Sequence, residues 1–340
     1  MADNDPNAKE RKKDHIELAF RSQVTSGEVD PRFYYEPIFS AHPDKGSWPT
    51  FQFLGKPMRL PVWVSSMTGG TAWAGTINHN LARACGDFGM GMGLGSCRSL
   101  LYSDETLPDF AVRPLMGADA PLFANLGIAQ IETLIDAGET DRIFRLIDKL
   151  QADGLIIHVN PFQEWLQPEG DRYQRPALES IQYLLDILPF PIIVKEVGQG
   201  MGYESLKALL QLPIAALDFA ASGGTNFAKL ELLRNDPAKQ VIFEQLAHVG
   251  HTAQEMVQFV NQLIPELGDR IQCKQLIISG GIQSFLDGYY LIEKAELPAV
   301  YGQASAFLRH ARGSYDELAA FVQTQVEGLE LAKSFLTVRK

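Results

Sequence analysis

Eight short apolar runs, at 61–66, 90–96, 122–127, 155–160, 192–197, 215–220, 276–280 and 299–302, recur along this chain, each ending at or near a Gly, Asn or Ser. They are too brief for buried helices, and their Val, Ile, Leu and Phe content is that of strands covered on both faces. Between them apolar residues recur at three- and four-residue spacing, which predicts helices over 177–188, 203–212, 252–263 and 285–294. Eight strand–helix units in succession favour a closed parallel barrel, a single (β/α)8 TIM barrel of the α/β class. A doubly wound open sheet is the competing architecture; the lack of a Gly-x-Gly-x-x-Gly turn after the first strand weighs against it.

The chain has 340 residues, 46% of them hydrophobic. A single barrel commonly occupies about 250 residues, and no Pro/Ser/Gly tract divides this one. The division expected is therefore an N-terminal extension over 1–60, packing on or over a barrel over 61–340. Within the extension a short helix is predicted over 15–21, followed by two extended segments across 51–64 broken at Gly55-Lys56-Pro57. The longest interruption of the rhythm, 221–251, reads as an active-site loop or lid.

A formal charge of −11, from 30 basic and 41 acidic residues, disfavours nucleic acid as a partner, because such a surface needs a basic excess to displace counterions. An anionic small molecule would have to be met by a local basic cluster. Cys85, Cys97 and Cys273 are far apart and odd in number, so neither a disulfide framework nor a zinc site is expected. The polar start of the chain is unlike a signal peptide, and no apolar run approaches the roughly 18 residues of a membrane span. A cytoplasmic enzyme is the expectation.

In a barrel, the C-terminal strand ends face the active site. Here they carry Ser66-Met67-Thr68, Ser96-Cys97-Arg98, Asn125, His158 with Asn160, Lys195-Glu196, Asp218, Gly280-Gly281 and Gly302. The turns Ser279-Gly280-Gly281-Ile282 and Gly302-Gln303-Ala304-Ser305 follow the seventh and eighth runs, where barrel enzymes often hold phosphate on backbone N–H groups.

Lys195 closes the run Pro-Ile-Ile-Val-Lys, where a buried ammonium is costly without an anionic partner. A salt bridge is one explanation, but adjacent strand residues point to opposite faces, which makes Glu196 a poor partner. A Schiff-base lysine is another. The reading preferred here is a cation set against an electron-rich cofactor ring, stabilising negative charge on a reduced flavin. Asn160 to Glu164 and Glu169 to Arg172 form a polar stretch after the fourth strand, suited to a hard cation or to proton handling. Arg11, Lys12, Lys13 and His15 supply a basic cluster that would clamp a diphosphate if folded over the barrel mouth.

Taken in order, Arg11-Lys12-Lys13-Asp14-His15, Ser66-Met67-Thr68-Gly69-Gly70, Gly95-Ser96-Cys97-Arg98, Ala124-Asn125, 158–164, Glu169-Gly170-Asp171-Arg172, 194–198, Gly223-Gly224-Thr225-Asn226 and Ser279-Gly280-Gly281-Ile282 span nearly the whole chain. This ordered set resembles the type 2 isopentenyl-diphosphate isomerases, FMN-dependent barrel enzymes that interconvert isopentenyl and dimethylallyl diphosphate.

The resemblance implies FMN contacts at Ser66, Met67, Thr68, Ser96, Asn125, Lys195, Thr225, Gly280, Gly281, Ala304 and Ser305. It implies substrate contacts at Arg11, Lys12, His15, Ser96, Arg98 and Gln163, a Mg2+ ligand at Glu164, and catalytic roles for Gln163, Lys195 and His158. NAD(P)H or another reductant would prime the flavin, and a homo-oligomer is expected. Two positions depart from the family pattern. The usual V-S-G-x-G-G-T turn reads 219–225 here, with Ala220 in place of the serine, and the usual S-Q-R reads Ser96-Cys97-Arg98. A 2-hydroxy-acid oxidase-like oxidoreductase on the same barrel is the alternative function.

Overall fold

A computed structural model describes residues 7–66 and 69–339. In chain order its strands are β1 (Phe33–Tyr35), β2 (Phe51–Phe53), β3 (Lys56–Met58), β4 (Val62–Val64), β5 (Gly91–Gly93), β6 (Leu122–Gly127), β7 (Gly154–His158), β8 (Ile192–Lys195), β9 (Ala216–Asp218), β10 (Leu276–Ser279), β11 (Ala299–Gln303) and β12 (Leu336–Val338). Strands β4 to β11 pair in parallel, each with the next and β11 back with β4, to close an eight-stranded barrel. Each of the eight apolar runs supplies one barrel strand.

Alternation along the strands sorts side chains into two environments. Trp63, Phe123, Ile156, Ile193, Ala216, Ile277 and Val300 gather in a cluster of their own. Their neighbours Val64, Ala124, Ile157, Val194, Leu217 and Ile278 belong to the larger core shared with the surrounding helices. The first set is therefore the barrel interior. Phe53, Leu54 and Met58 of the antiparallel β2–β3 hairpin join that interior cluster and seal the N-terminal end of the tube. Gly91 makes room for this packing, since a Cβ there would sit 2.4 Å from the Trp63 indole.

The predicted helices appear as Ala177–Ile187, Tyr203–Leu210, Ala253–Leu267 and Phe285–Lys294. The last two start at capping boxes, Thr252 with Glu255 and Ser284 with Asp287. Three expectations need correction. The N-terminal helix runs Ala8–Leu18 rather than over 15–21, because the good helix formers Lys, Glu and Arg lie before His15. The break between the first extended segments falls at Leu54-Gly55, where both residues take positive φ, and Lys56 and Pro57 already belong to β3. The 221–251 interruption is no open loop: it holds helices Phe227–Leu233 and Pro237–Phe243 and a 3-10 turn at Glu244–His248. Ala228 and Leu232 of this insertion pack on Leu166, within the helix Pro161–Leu166 that follows β7.

Strand β1 pairs antiparallel with β12, tying the segment before the barrel to the end of the long helix Tyr315–Phe335. Among the described residues, no helix is long and apolar enough to cross a membrane.

Candidate active site

Two residues beyond the interior apolar layer, on the same face of each strand, the chain places Ser65, Gly93, Asn125, His158, Lys195, Asp218, Ser279 and Gly302. The same two-residue period that fills the sealed end with apolar side chains thus gives the open end a ring of polar groups and glycines.

Within the ring the partners are specific. Asn125 donates its amide N–H to the Leu94 carbonyl (3.0 Å), and its Oδ1 lies 2.8 Å from His158 Nδ1. Burial and then the nearby Lys195 ammonium push the His158 imidazole down to about 3, so it is neutral at physiological pH. Lys195, buried, donates from Nζ to the Glu196 carbonyl oxygen at 2.6 Å. The Glu196 carboxylate turns away, as the strand geometry requires, and its Oε2 accepts the N–H groups of Gly198, Gln199 and Gly200 at 2.6–3.0 Å. Asp218 is fully buried; its Oδ1 accepts the Ser279 hydroxyl, and that hydroxyl oxygen accepts the Ala220 N–H at 2.8 Å.

Beside the ring opens a cleft of about 610 Å3 lined by the turns after β4, β8, β9, β10 and β11. Glycine is required in its floor. Gly280 has φ +90°, and a Cβ on it would lie 2.1 Å from the Ala221 carbonyl oxygen; Gly223, at φ +109°, rests against Gly281 with 3.0 Å from a built Cβ to the Gly281 Cα. Two backbone turns therefore interlock where side chains cannot enter, and their surface is open to a ligand. Ser66, Lys195, Thr225, Gly280, Gly281, Ala304 and Ser305 all line this cleft. Met67 and Thr68 lie outside the described residues. Ser65, Ser279 and Gln303 also line it and were not singled out as candidate contacts, although the period of two marks Ser65 and Ser279 as inward-facing.

A second group forms on the segment after β7. Glu164, buried, accepts from the Asn160 side chain (3.1 Å) and from the Asp171 backbone N–H (2.8 Å). The Asn160 side-chain amide also donates to the Gln163 side-chain Oε1 at 3.2 Å. Asp171 in turn pairs with Arg98 at 2.6 Å and accepts from Gln130 at 3.1 Å. The structure thus brings Gln163, Glu164 and Arg98 into one network, with Ser96 exposed two residues before Arg98. Arg11, Lys12 and His15 lie on the helix Ala8–Leu18, whose described side chains are all exposed.

The Cys97 departure has a simple structural reading. Its side chain is fully buried with Sγ toward the Gly95 carbonyl, and burial pushes the thiol up to about 12, so it is an inert packing group. Ala220 lines the cleft at φ +40°.

No family model matches the chain. It is 36% identical over 332 residues to the isopentenyl-diphosphate delta-isomerase of Rickettsia felis (strain ATCC VR-1525 / URRWXCal2), covering 95% of this chain and 91% of that protein. To the enzyme of the same name from Rickettsia typhi (strain ATCC VR-144 / Wilmington) it is 34% identical, covering 95% and 92%. Among solved structures, a flavocytochrome b2 with sulfite bound aligns with a TM-score of 0.57 at 14% identity, over 94% of this chain and 78% of that one. A mandelate oxidase mutant with the monooxide FMN adduct aligns at 0.54 and 12%, over 91% and 88%.

Fold and strand-end site together define a (β/α)8-barrel enzyme with its polar groups at the open end of a sealed tube. With the relatives matched along nearly their whole length, the chain belongs to the isopentenyl-diphosphate delta-isomerase family.

Proposed function

We propose that this protein is a type 2 isomerase, interconverting isopentenyl and dimethylallyl diphosphate with FMN and Mg2+ and without net redox change. The observation that carries the reading is that Lys195, which lines the glycine-floored cleft, pairs in register with His158, the strand end that leads into the segment carrying Gln163 and Glu164.

FMN fits the cleft on its chemistry. Ser65 Oγ, Ser66 Oγ and Gln303 Oε1, on residues that line the cleft, are buried without a hydrogen-bond partner among the described residues, as groups awaiting a polar ligand would be. The turns at Gly280-Gly281 and Ala304-Ser305 would hold its phosphate, with Thr225, Ser66, Met67, Thr68, Ser96 and Asn125 completing its surroundings. When bound and reduced, by NAD(P)H or another donor, FMN supplies the acid/base chemistry for moving the double bond. Lys195 sets a positive charge beside it, neutral His158 holds a hydrogen bond without adding charge, and Gln163 orients the reacting end of the substrate. Arg98, Ser96 and the N-terminal Arg11, Lys12 and His15 bind the diphosphate.

Among the described residues no cluster of three metal-ligating side chains exists. Mg2+ would take Glu164 as its carboxylate and its remaining ligands from the substrate phosphates and water, the usual pattern for this ion. The division of labour proposed is an extension, 1–60, serving a flavin-binding barrel, 61–340, in a cytoplasmic homo-oligomer.

The test is anaerobic incubation of the FMN-loaded protein with Mg2+, a reductant and isopentenyl diphosphate. Dimethylallyl diphosphate is expected at constant flavin redox state. A flavinated sample that yields none overturns the proposal, and one that instead reduces its flavin with a 2-hydroxy acid establishes the oxidoreductase alternative.

A further inference from the structure

Lys195 and Asp218 stand opposite each other in register on β8 and β9, both on the interior face and both buried, with Asp218 wholly so. Neighbouring strands lie about 4.8 Å apart, so the two side chains share one small volume. No carboxylate of the described residues reaches within 4.0 Å of the Lys195 ammonium, and the adjacent Glu196 is turned outward and holds three amides. Asp218 is the counter-charge that remains.

The surroundings of Asp218 point inward as well. The Ser279 hydroxyl oxygen already accepts from the Ala220 N–H, so its single proton is committed to Asp218 Oδ1. Oδ2 is fully buried and has no partner among the described residues. A fully buried carboxylate held only by neutral hydrogen-bond donors depends on the nearest positive charge for its ionised form. On the neighbouring strand beyond Lys195, the facing group is the neutral His158. Lys195 itself lines the cleft, so whatever field it projects there is offset by the charge state of Asp218.

We infer that Asp218 is a positioning residue that governs how much of the Lys195 charge reaches a flavin in the cleft, so that the pair, rather than the lysine alone, sets the reduction potential of the bound cofactor. This rests on the FMN reading above. An ionised Asp218 cancels part of the ammonium field and holds the potential down; a neutral residue in its place leaves the field whole and favours the reduced, negatively charged flavin.

The experiment measures the midpoint potential of the FMN holoenzyme by anaerobic dye equilibration between pH 6 and 9, in wild type and in Asp218→Asn. The variant should show a higher potential over part of that range, equivalent to about a tenfold gain in preference for reduced over oxidised FMN. Sulfite binding to the oxidised flavin should tighten in parallel, read by bleaching of the flavin band. Coincident potentials at every pH overturn the inference. If Asp218→Asn does not yield folded holoenzyme, Ser279→Ala carries the test: removing the hydroxyl that donates to Asp218 Oδ1 disfavours its charged form, and the potential must move the same way. A wild-type protein that binds no FMN would instead defeat the functional proposal, a distinguishable result.

Discussion

Asn125 fixes which nitrogen of His158 carries the proton. The Leu94 carbonyl can only accept, so the Asn125 atom facing it at 3.0 Å is the NH2, and the atom facing His158 Nδ1 at 2.8 Å is the oxygen. His158 therefore holds its proton on Nδ1 and presents a bare Nε2.

The first prediction concerns that ring. With the folded pKa near 3 and the ordinary value at 6.5, the unfolded chain takes up a proton between these values and the folded protein does not. This group thus contributes nothing above pH 6.5 and destabilises progressively as pH falls toward 3. His158→Gln should flatten that part of the stability curve in denaturant titrations. NMR of the imidazole should show an Nδ1–H tautomer from pH 5 to 8, and a titration midpoint above 6 would contradict the geometry.

Gly280→Ala should fail in two ways at once. Its φ of +90° and the 2.1 Å approach to the Ala221 carbonyl leave no space for a methyl group. A loss of about 3 kcal/mol or more is expected, with flavin absorbance lost from the purified protein. An unchanged melting temperature with full FMN content would refute the interlocked turn.

Ala220 separates strain from contact. At φ +40° an alanine costs about 1 kcal/mol that glycine does not, while glycine adds its own entropic penalty. Ala220→Gly should therefore raise stability slightly, by about 0.5 kcal/mol. Ala220→Ser restores a hydroxyl in the cleft and should bind FMN about fivefold more tightly. Equal FMN affinity for Ala and Ser would mean that this side chain does not touch the flavin.

Glu164→Gln separates metal from flavin. Its amide can still accept from Asn160 or the Asp171 N–H, so the segment keeps its shape, but the charge for a divalent cation is gone. Mg2+-dependent turnover should fall by about a hundredfold with FMN affinity unchanged. Parallel losses in both would assign Glu164 a structural role instead.

Much of this was legible before folding. The eight barrel strands announce themselves because each is buried on both faces and so reads as an unbroken apolar run; Lys195 stands out because a charge ends such a run. What sequence could not supply is register. Nothing local says that Asp218 faces Lys195 or that Gly223 rests on Gly281, since those relations are made by strands and turns far apart in the chain. The helices inside 221–251 were missed for a different reason. Phe227–Leu233 and Pro237–Phe243 are each two turns long, too short for a periodic signal to emerge.

The β2–β3 hairpin lays Phe53, Leu54 and Met58 against an interior already filled by Trp63, Phe123 and their neighbours, so the barrel is a plugged column rather than a channel. The ring of polar groups is then reached from the C-terminal end of the strands, the side on which the cleft opens.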